Sequence, residues 1–228
     1  MPYPQMPGLK DDGRSFADAL ARILHWLDEQ LPSLRAALNP PADDAAIDSA
    51  QADCETVFPP DLRALYRFAD GENGDIGLFF GLPFLSLARL VDEWRSWIDV
   101  ERESPILNDN SDGFFESMPP KAIQLRYTNR RWIPIAHDHG GNHLGVDLSP
   151  GPTGRVGQVI NFGADEDAKF VIAPSLAAFL NWYADSLEAG NYRVTRDSGA
   201  EAYIDFTIAE PVNEHFLDAV RDMGMAAR

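Results

Sequence analysis

Apolar residues recur at helical spacing from Phe16 through Leu20, Ile23, Leu24, Leu27 and Leu31, the stripe of an amphipathic helix. Ser15 stands at the N-cap position with Asp18 three residues on, and Pro32 is expected to stop the helix. After the linker Asn39-Pro40-Pro41, Asp43 or Asp44 can cap a second helix whose apolar face holds Ile47, Ala50 and Cys54, broken by Pro59-Pro60. Asp61 can cap a third, carrying Leu62, Leu65, Tyr66 and Phe68 and closed by Asp70-Gly71. The apolar run from Ile76 to Leu85 reads as one buried strand or two short ones. Leu87 to Val100 returns to helical spacing, with Leu90, Val91, Trp94, Trp97 and Ile98 on one side.

Residues 101–120 are polar and rich in Asn, Asp, Ser and Pro, a long loop or insertion. Arg131–Ala136, Leu144–Leu148 and Val156–Phe162 read as strands, the first two joined by a turn over His137–Asn142. Pro174-Ser175 opens a helix through Leu176, Phe179, Leu180, Trp182, Tyr183 and Leu187, ended by Gly190. Tyr192–Thr195 and Ala202–Ile208 form a second hairpin, and Asn213–Met223 a closing helix. Helices first, hairpin strands later, with no βαβ alternation, is the order of an α+β fold with a mainly antiparallel sheet. Trp132 is expected in the core, and Trp94 and Trp97 are expected to pack on a helix face.

Composition narrows the function. The 228 residues are 45% apolar, enough for one large domain with a true core, which excludes a wholly disordered chain. The net charge of −17 repels phosphate backbones and argues against nucleic-acid binding; it favours a basic partner. Met1–Gly8 is proline-rich with neither a basic nor an apolar run, so no targeting segment is expected. The longest apolar stretch, Leu78–Leu85, is far short of a membrane span. The single cysteine, Cys54, excludes an internal disulfide and a cysteine-based zinc site, and a cytoplasmic location fits. Its acidic neighbours Asp53 and Glu55 favour a structural thiol over a nucleophile.

Candidate chemistry is sparse. His137 and His139, two apart on a strand, would share a face, and with His143 they are candidate ligands of a metal-dependent enzyme. The H-x-H-x-D-H pattern of metallo-hydrolases is not met, hairpin histidines with ordinary hydrogen bonds are the simpler account, and no metal or cofactor is assigned. Asn108, Asn110, Asp112 and Gly113 open like a calcium loop, but the twelfth position is Pro119, not the bidentate Glu such a loop needs. There is no G-x-S-x-G elbow, and Gly151, Gly154 and Gly157 fit neither a dinucleotide nor a P-loop pattern. No nucleophile, base and orienting group assemble, which moves weight from an enzyme to a protein that acts through a surface. Asp43, Asp44, Asp48 and Asp53 can line one acidic helix face and are candidate partner-binding residues; a solvated face explains them as well. Asp138, Gly140, Gly141 and Asn142 read as a structural turn, with glycine supplying positive φ and Asp or Asn bonding its own backbone.

Two segments carry a family resemblance. Phe58-Pro59-Pro60-Asp61-Leu62 through Tyr66, then Asp70-Gly71-Glu72-Asn73-Gly74, resembles the L-P-x-D-L…Y…N-G segment of the SUKH superfamily, the group of the fungal Smi/Knr cell-wall assembly regulators. Trp132-Ile133-Pro134-Ile135-Ala136, Asp138-His139-Gly140-Gly141-Asn142 and Leu144-Gly145-Val146-Asp147-Leu148 resemble its W-x-P-I-A-x-D-x-G-G-N-x-L-x-x-D core. Gly154–Ile160, Ala173-Pro174-Ser175 and Phe179-Leu180 continue the match over 44–190, with Phe58 where the family usually has Leu. The resemblance implies an α+β domain with a mainly antiparallel sheet wrapped by helices over 43–190. A lead-in and helix over 1–42 would precede it, and a hairpin and helix over 191–228 would follow. It implies no catalysis. Many bacterial members resemble immunity proteins that neutralise a cognate toxin, and the resemblance implies that role first, by occlusion of a basic surface. The alternative is a regulatory scaffold of the fungal type with host protein partners, and the second alternative is the metal-dependent enzyme using His137, His139 and His143.

Overall fold

The computed structural model describes residues 13–74, 76–196 and 203–225; residues 1–12 of the lead-in expected over 1–14, and the first residue of the strand expected over 202–208, lie outside them. Ser15 caps α1 (Phe16–Gln30), its hydroxyl accepting the Asp18 N–H, and Asp43 caps α3 (Asp44–Asp53), accepting from Ala46. Pro32 does more than stop α1: it occupies the first turn of a short α2 (Pro32–Ala37), where a missing N–H costs nothing. The third expected helix is α4 (Pro60–Phe68), with Pro59 at its cap and no side-chain cap bond. Asp61 therefore lies in the first turn and does not cap it, though its charge still suits the helix N-terminus. Ser86 caps α5 (Leu87–Glu103) and Ser175 caps α6 (Leu176–Glu188); α7 (Phe216–Met225) closes the described chain.

The sheet is α+β in organisation and mainly antiparallel. Its strands are β1 (Glu116–Met118), β2 (Trp132–His137), β3 (Asn142–Asp147), β4 (Gln158–Gly163) and β5 (Ala168–Ala173), in the order β1-β5-β4-β3-β2. β2, β3 and β4 are the three expected strands. β5 was not expected: Ala168-Lys169-Phe170 begins it with a lysine that turns out to be buried. β1 lies in the stretch expected to be loop and pairs parallel to β5, the one parallel ladder of the sheet; a 3-10 turn (Pro105–Asn108) precedes it. A separate hairpin, β6 (Tyr192–Arg196) with β7 (Ile204–Ile208), matches expectation.

Alternation along the strands divides two cores. Ile133, Ile135, Leu144, Val146 and Val159 join the large helical core, while Trp132, Ile160 and Phe162 point the other way with Ala122 and Ile123, covered by Trp97. Among the described residues β2–β4 are buried along their whole length.

The run Ile76–Leu85 forms no strand. Gly77, Phe80 and Gly81 hold φ of 83°, 51° and 89°, values no strand tolerates. A Cβ on Gly77 would stand 2.1 Å from the Gly81 carbonyl carbon. The segment folds inward as a loop, its aromatic rings inserted among helices: Phe80 lies 4.9 Å from Tyr183 and 5.4 Å from both Phe206 and Phe216. Burial of the rings rewards the strained backbone.

Chain outside 43–190 shares this core. Trp26 of α1 meets Tyr192 and Phe206 of the hairpin at 4.7 and 5.6 Å. Arg14 grips Asp185 of α6 with both nitrogens at 2.7 Å, and Arg22 reaches Asp185 and Glu188 at 2.6 and 2.5 Å.

Candidate functional site

The four aspartates of α3 do not form a loose acidic fringe. Asp43 is the cap, accepting the Ala46 N–H at 2.8 Å. Asp44 meets Arg67 at 2.6 Å and Arg63 at 3.4 Å, and Asp48 meets Arg63 at 2.6 Å, so α4 braces this flank. Asp53 meets Arg95 of α5 at 2.7 Å. Exposed pairs of this kind contribute little stability each. Their effect is positional: three carboxylates remain at the surface, 42–65% exposed, with rotamers held by arginines.

Between α3 and α5 lies a groove of about 420 Å³. Helical spacing places Ala46, Ser49, Ala50 and Asp53 on the α3 wall, and Ala88, Val91, Asp92 and Arg95 on the α5 wall. Asp70 stands at one end, its Oδ1 accepting the Leu87 N–H at 2.7 Å. Arg95 lies between Asp53 and, at 4.0 Å, Asp92. Asp53 is thus the one predicted residue that joins the groove; Asp44 and Asp48 face α4. Asp70, Asp92 and Arg95 were not anticipated, because the contact of α3 with α5 joins residues 42 apart in the chain. The small residues at 46, 49, 50 and 88 were the signal in the chain.

The turn after β2 satisfies itself. Asp138 Oδ1 accepts the N–H of Gly140 at 2.7 Å and of Asn142 at 2.9 Å, and Oδ2 accepts Asn142 Nδ2 at 2.8 Å. Asn142 Oδ1 in turn accepts the Asp165 N–H. Burial pushes the Asp138 carboxyl up, but the bonds from Asn142 and Gly140 outweigh it and hold it below the usual range. Gly141 has φ 94°.

The histidines are arranged differently from the expected shared strand face. β2 ends at His137, and His139 sits in the turn at φ 61°, its ring 4.3 Å from that of His137. His143 is instead the cross-strand partner of His137, packed against Phe162 and Trp97. Glu93 of α5 lies 3.7 Å from His137 and 3.9 Å from His143. Burial lowers His137 and His143 to about 4, and raises Glu93. Among the described residues no group of three or more His, Cys, Asp or Glu is placed to hold a metal ion.

Cys54 is buried, and burial first, then Asp53, pushes its thiol up to about 12, the environment of an inert thiol. Lys169, fully buried, donates to the Glu166 carbonyl at 2.6 Å and lies 4.8 Å over Phe115 and 5.6 Å over Trp132. Burial lowers it to about 8. No sequence pattern marked it, since a lysine in a strand reads as a solvent-facing position.

The sequence model of the SMI1/KNR4 family (SUKH-1) matches residues 41–182. The chain belongs to the SMI1/KNR4 family. It is 34% identical over 211 residues to the cell wall assembly regulator SMI1 of Saccharomyces cerevisiae, covering 79% of this chain and 42% of that protein. It is 32% identical to the glucan synthesis regulatory protein of Neurospora crassa, covering 80% and 40%. It is 33% identical to the cell wall biosynthesis/cell cycle regulator smi1 of Schizosaccharomyces pombe, covering 81% and 38%. The chain thus spans about two fifths of the length of these relatives, and the matched part includes the groove walls, the Asp138 turn and the paired histidines. No helix among the described residues is long and apolar enough to cross a membrane.

Proposed function

We propose that this SMI1/KNR4-family chain is a non-catalytic, protein-binding regulatory module, working in the cytoplasm, that holds its partner on an acidic face centred on α3. The observation that carries this reading is the arginine bracing of Asp44, Asp48 and Asp53. Carboxylates already fixed in place lose little side-chain freedom when a cationic surface docks, so charge is converted into specificity and encounter rate. The relatives' names, regulators of cell wall assembly and glucan synthesis, support a regulatory role over toxin neutralisation. The net charge of −17 favours the immunity reading to the extent that a toxin is basic, and the experiment separates the two. In this reading 43–190 is the family domain, and the described residues 13–42, 191–196 and 203–225 brace it.

The test is affinity capture with the full chain as bait, with calorimetry of each captured protein and of the neighbouring reading frame's product at low and high salt. The regulatory reading expects a host protein bound one to one, more weakly at high salt. Tight binding of a neighbouring toxin alone would replace it with immunity. Capture of no protein would overturn both.

A further inference from the structure

The groove between α3 and α5 differs from the rest of the acidic surface in one respect. On the α4 flank, Asp44 and Asp48 are matched by Arg63 and Arg67. In the groove, Asp53 and Asp92 share a single guanidinium, that of Arg95, while Asp70 accepts the Leu87 N–H at its end. The floor is apolar, built of the buried Ala50 and Val91 between the exposed wall alanines Ala46 and Ala88, with Ile47 and Leu90 buried in the core.

Resting on the protein-binding reading above, we infer that this groove is the seat of a basic helical segment of the partner, whose Lys or Arg side chains reach Asp53, Asp70 and Asp92. Two walls that run in the same direction, with Asp53 at the far end of α3 meeting Arg95 of α5, carry small side chains and leave the furrow that a third helix fills by ridge-into-groove packing, and alanines let its backbone approach closely. The long stems of Lys and Arg lie well over Ala50, Ala88 and Val91 while their heads stay at the acidic rim. Arg95 shows what the rim accepts, since its guanidinium already lies between two carboxylates there. The groove carries three acids against one base, so a cationic occupant completes its charge and an acidic one is repelled. An exposed cluster of carboxylates on a convex surface would offer the charge without the apolar floor; here both face the same concavity.

The probe is a lysine- and alanine-rich amphipathic helical peptide, titrated into the isotopically labelled full chain and followed by amide shifts, with a glutamate-substituted copy as control. Binding of the lysine peptide alone, with shifts concentrated at 46–53, 70 and 87–95, is expected. Ala88→Trp plugs the furrow from an exposed helix position and Asp92→Lys reverses the rim charge. Each should weaken binding about tenfold or more, while Asp205→Asn on the distant hairpin leaves it unchanged. Should Ala88→Trp lose its cooperative thermal transition, Asp92→Lys alone decides. Shifts centred on the Asp44–Asp48 flank, or wild-type affinity in the charge-reversed variant, would overturn the groove and leave the protein-binding reading standing. Equal binding of the glutamate peptide would overturn the charge argument. Failure of the protein-binding reading would show separately, as a chain that captures no protein at all.

Discussion

The Glu72 carboxylate accepts the backbone N–H of Leu78 at 2.7 Å. The same side chain also accepts from Gly77 and Phe84, each at 3.0 Å, so one acidic group gathers both ends of the inward loop 76–85. This explains how an apolar run of strand-like composition avoids a ladder: its orphaned N–H groups converge on a carboxylate contributed by the preceding turn.

Glu72→Ala leaves those donors without their acceptor inside a largely buried loop. The expected loss is about 3 kcal/mol or more, since each buried unsatisfied group costs about 1–3 kcal/mol. Glu72→Gln keeps one acceptor oxygen and should lose less. Urea midpoints for both variants check this; equal stability of Glu72→Ala and the parent chain would remove the carboxylate from its organising role.

His143 is buried and neutral, its proton affinity lowered by burial from 6.5 to about 4. The unfolded chain takes up this proton near pH 6.5 and the folded chain only near pH 4. Between those values the unfolded state binds more protons, so stability falls as pH falls, and the loss is complete below pH 4. At about 1.4 kcal/mol per pH unit, the full effect is of the order of 3 kcal/mol. Glu93 and Asp147, both raised by burial, act in the opposite direction over an overlapping range, so the comparison is made against His143→Phe. That variant should unfold with a shallower decline between pH 6.5 and 4. An unchanged slope would show that His143 does not carry it.

Gly145 has no room for a side chain. A Cβ there would lie 2.4 Å from the Phe162 ring and 2.8 Å from the Ile133 carbonyl oxygen. Gly145→Ala should destabilise by about 1–3 kcal/mol through overpacking. Phe162→Leu removes part of the obstruction, so the double variant should be less damaged than the two single losses added together. Strict additivity in thermal melts would show that the two positions do not press on each other.

Local rules made much of the fold legible. Ser15 caps the helix it was expected to cap, Asp43 rather than Asp44 caps the next, and Ser175 caps the helix that Pro174-Ser175 was expected to open, because a cap is a contact over three residues. β2, β3 and β4 and the second hairpin follow from alternation and turn residues within short spans. The ordered SUKH motifs likewise carried the family, since residues such as Gly140 and Gly141 meet needs of the turn that holds them. Less legible were the elements whose conformation depends on distant chain. Loop 76–85 looked like a strand until Glu72 and the aromatic rings of α6, β7 and α7 surrounded it. β5 was hidden by Lys169, whose charge is tolerated inside only because Phe115, Trp132 and the Glu166 carbonyl meet it there.

The acidic residues divide in the same way. Local chain chemistry sets the charge of −17, the helix that carries Asp44, Asp48 and Asp53 with Asp43 at its cap, and the periodicity that forms it. The tertiary structure decided which of those carboxylates are braced by α4 and which joins Asp70 and Asp92 across a groove. Helical periodicity depends on neighbours three and four residues apart and is written locally. Pairing between Asp53 and Arg95 depends on where burial of Ile47, Ala50, Leu90 and Val91 brings two helices together, and only the packed core sets that.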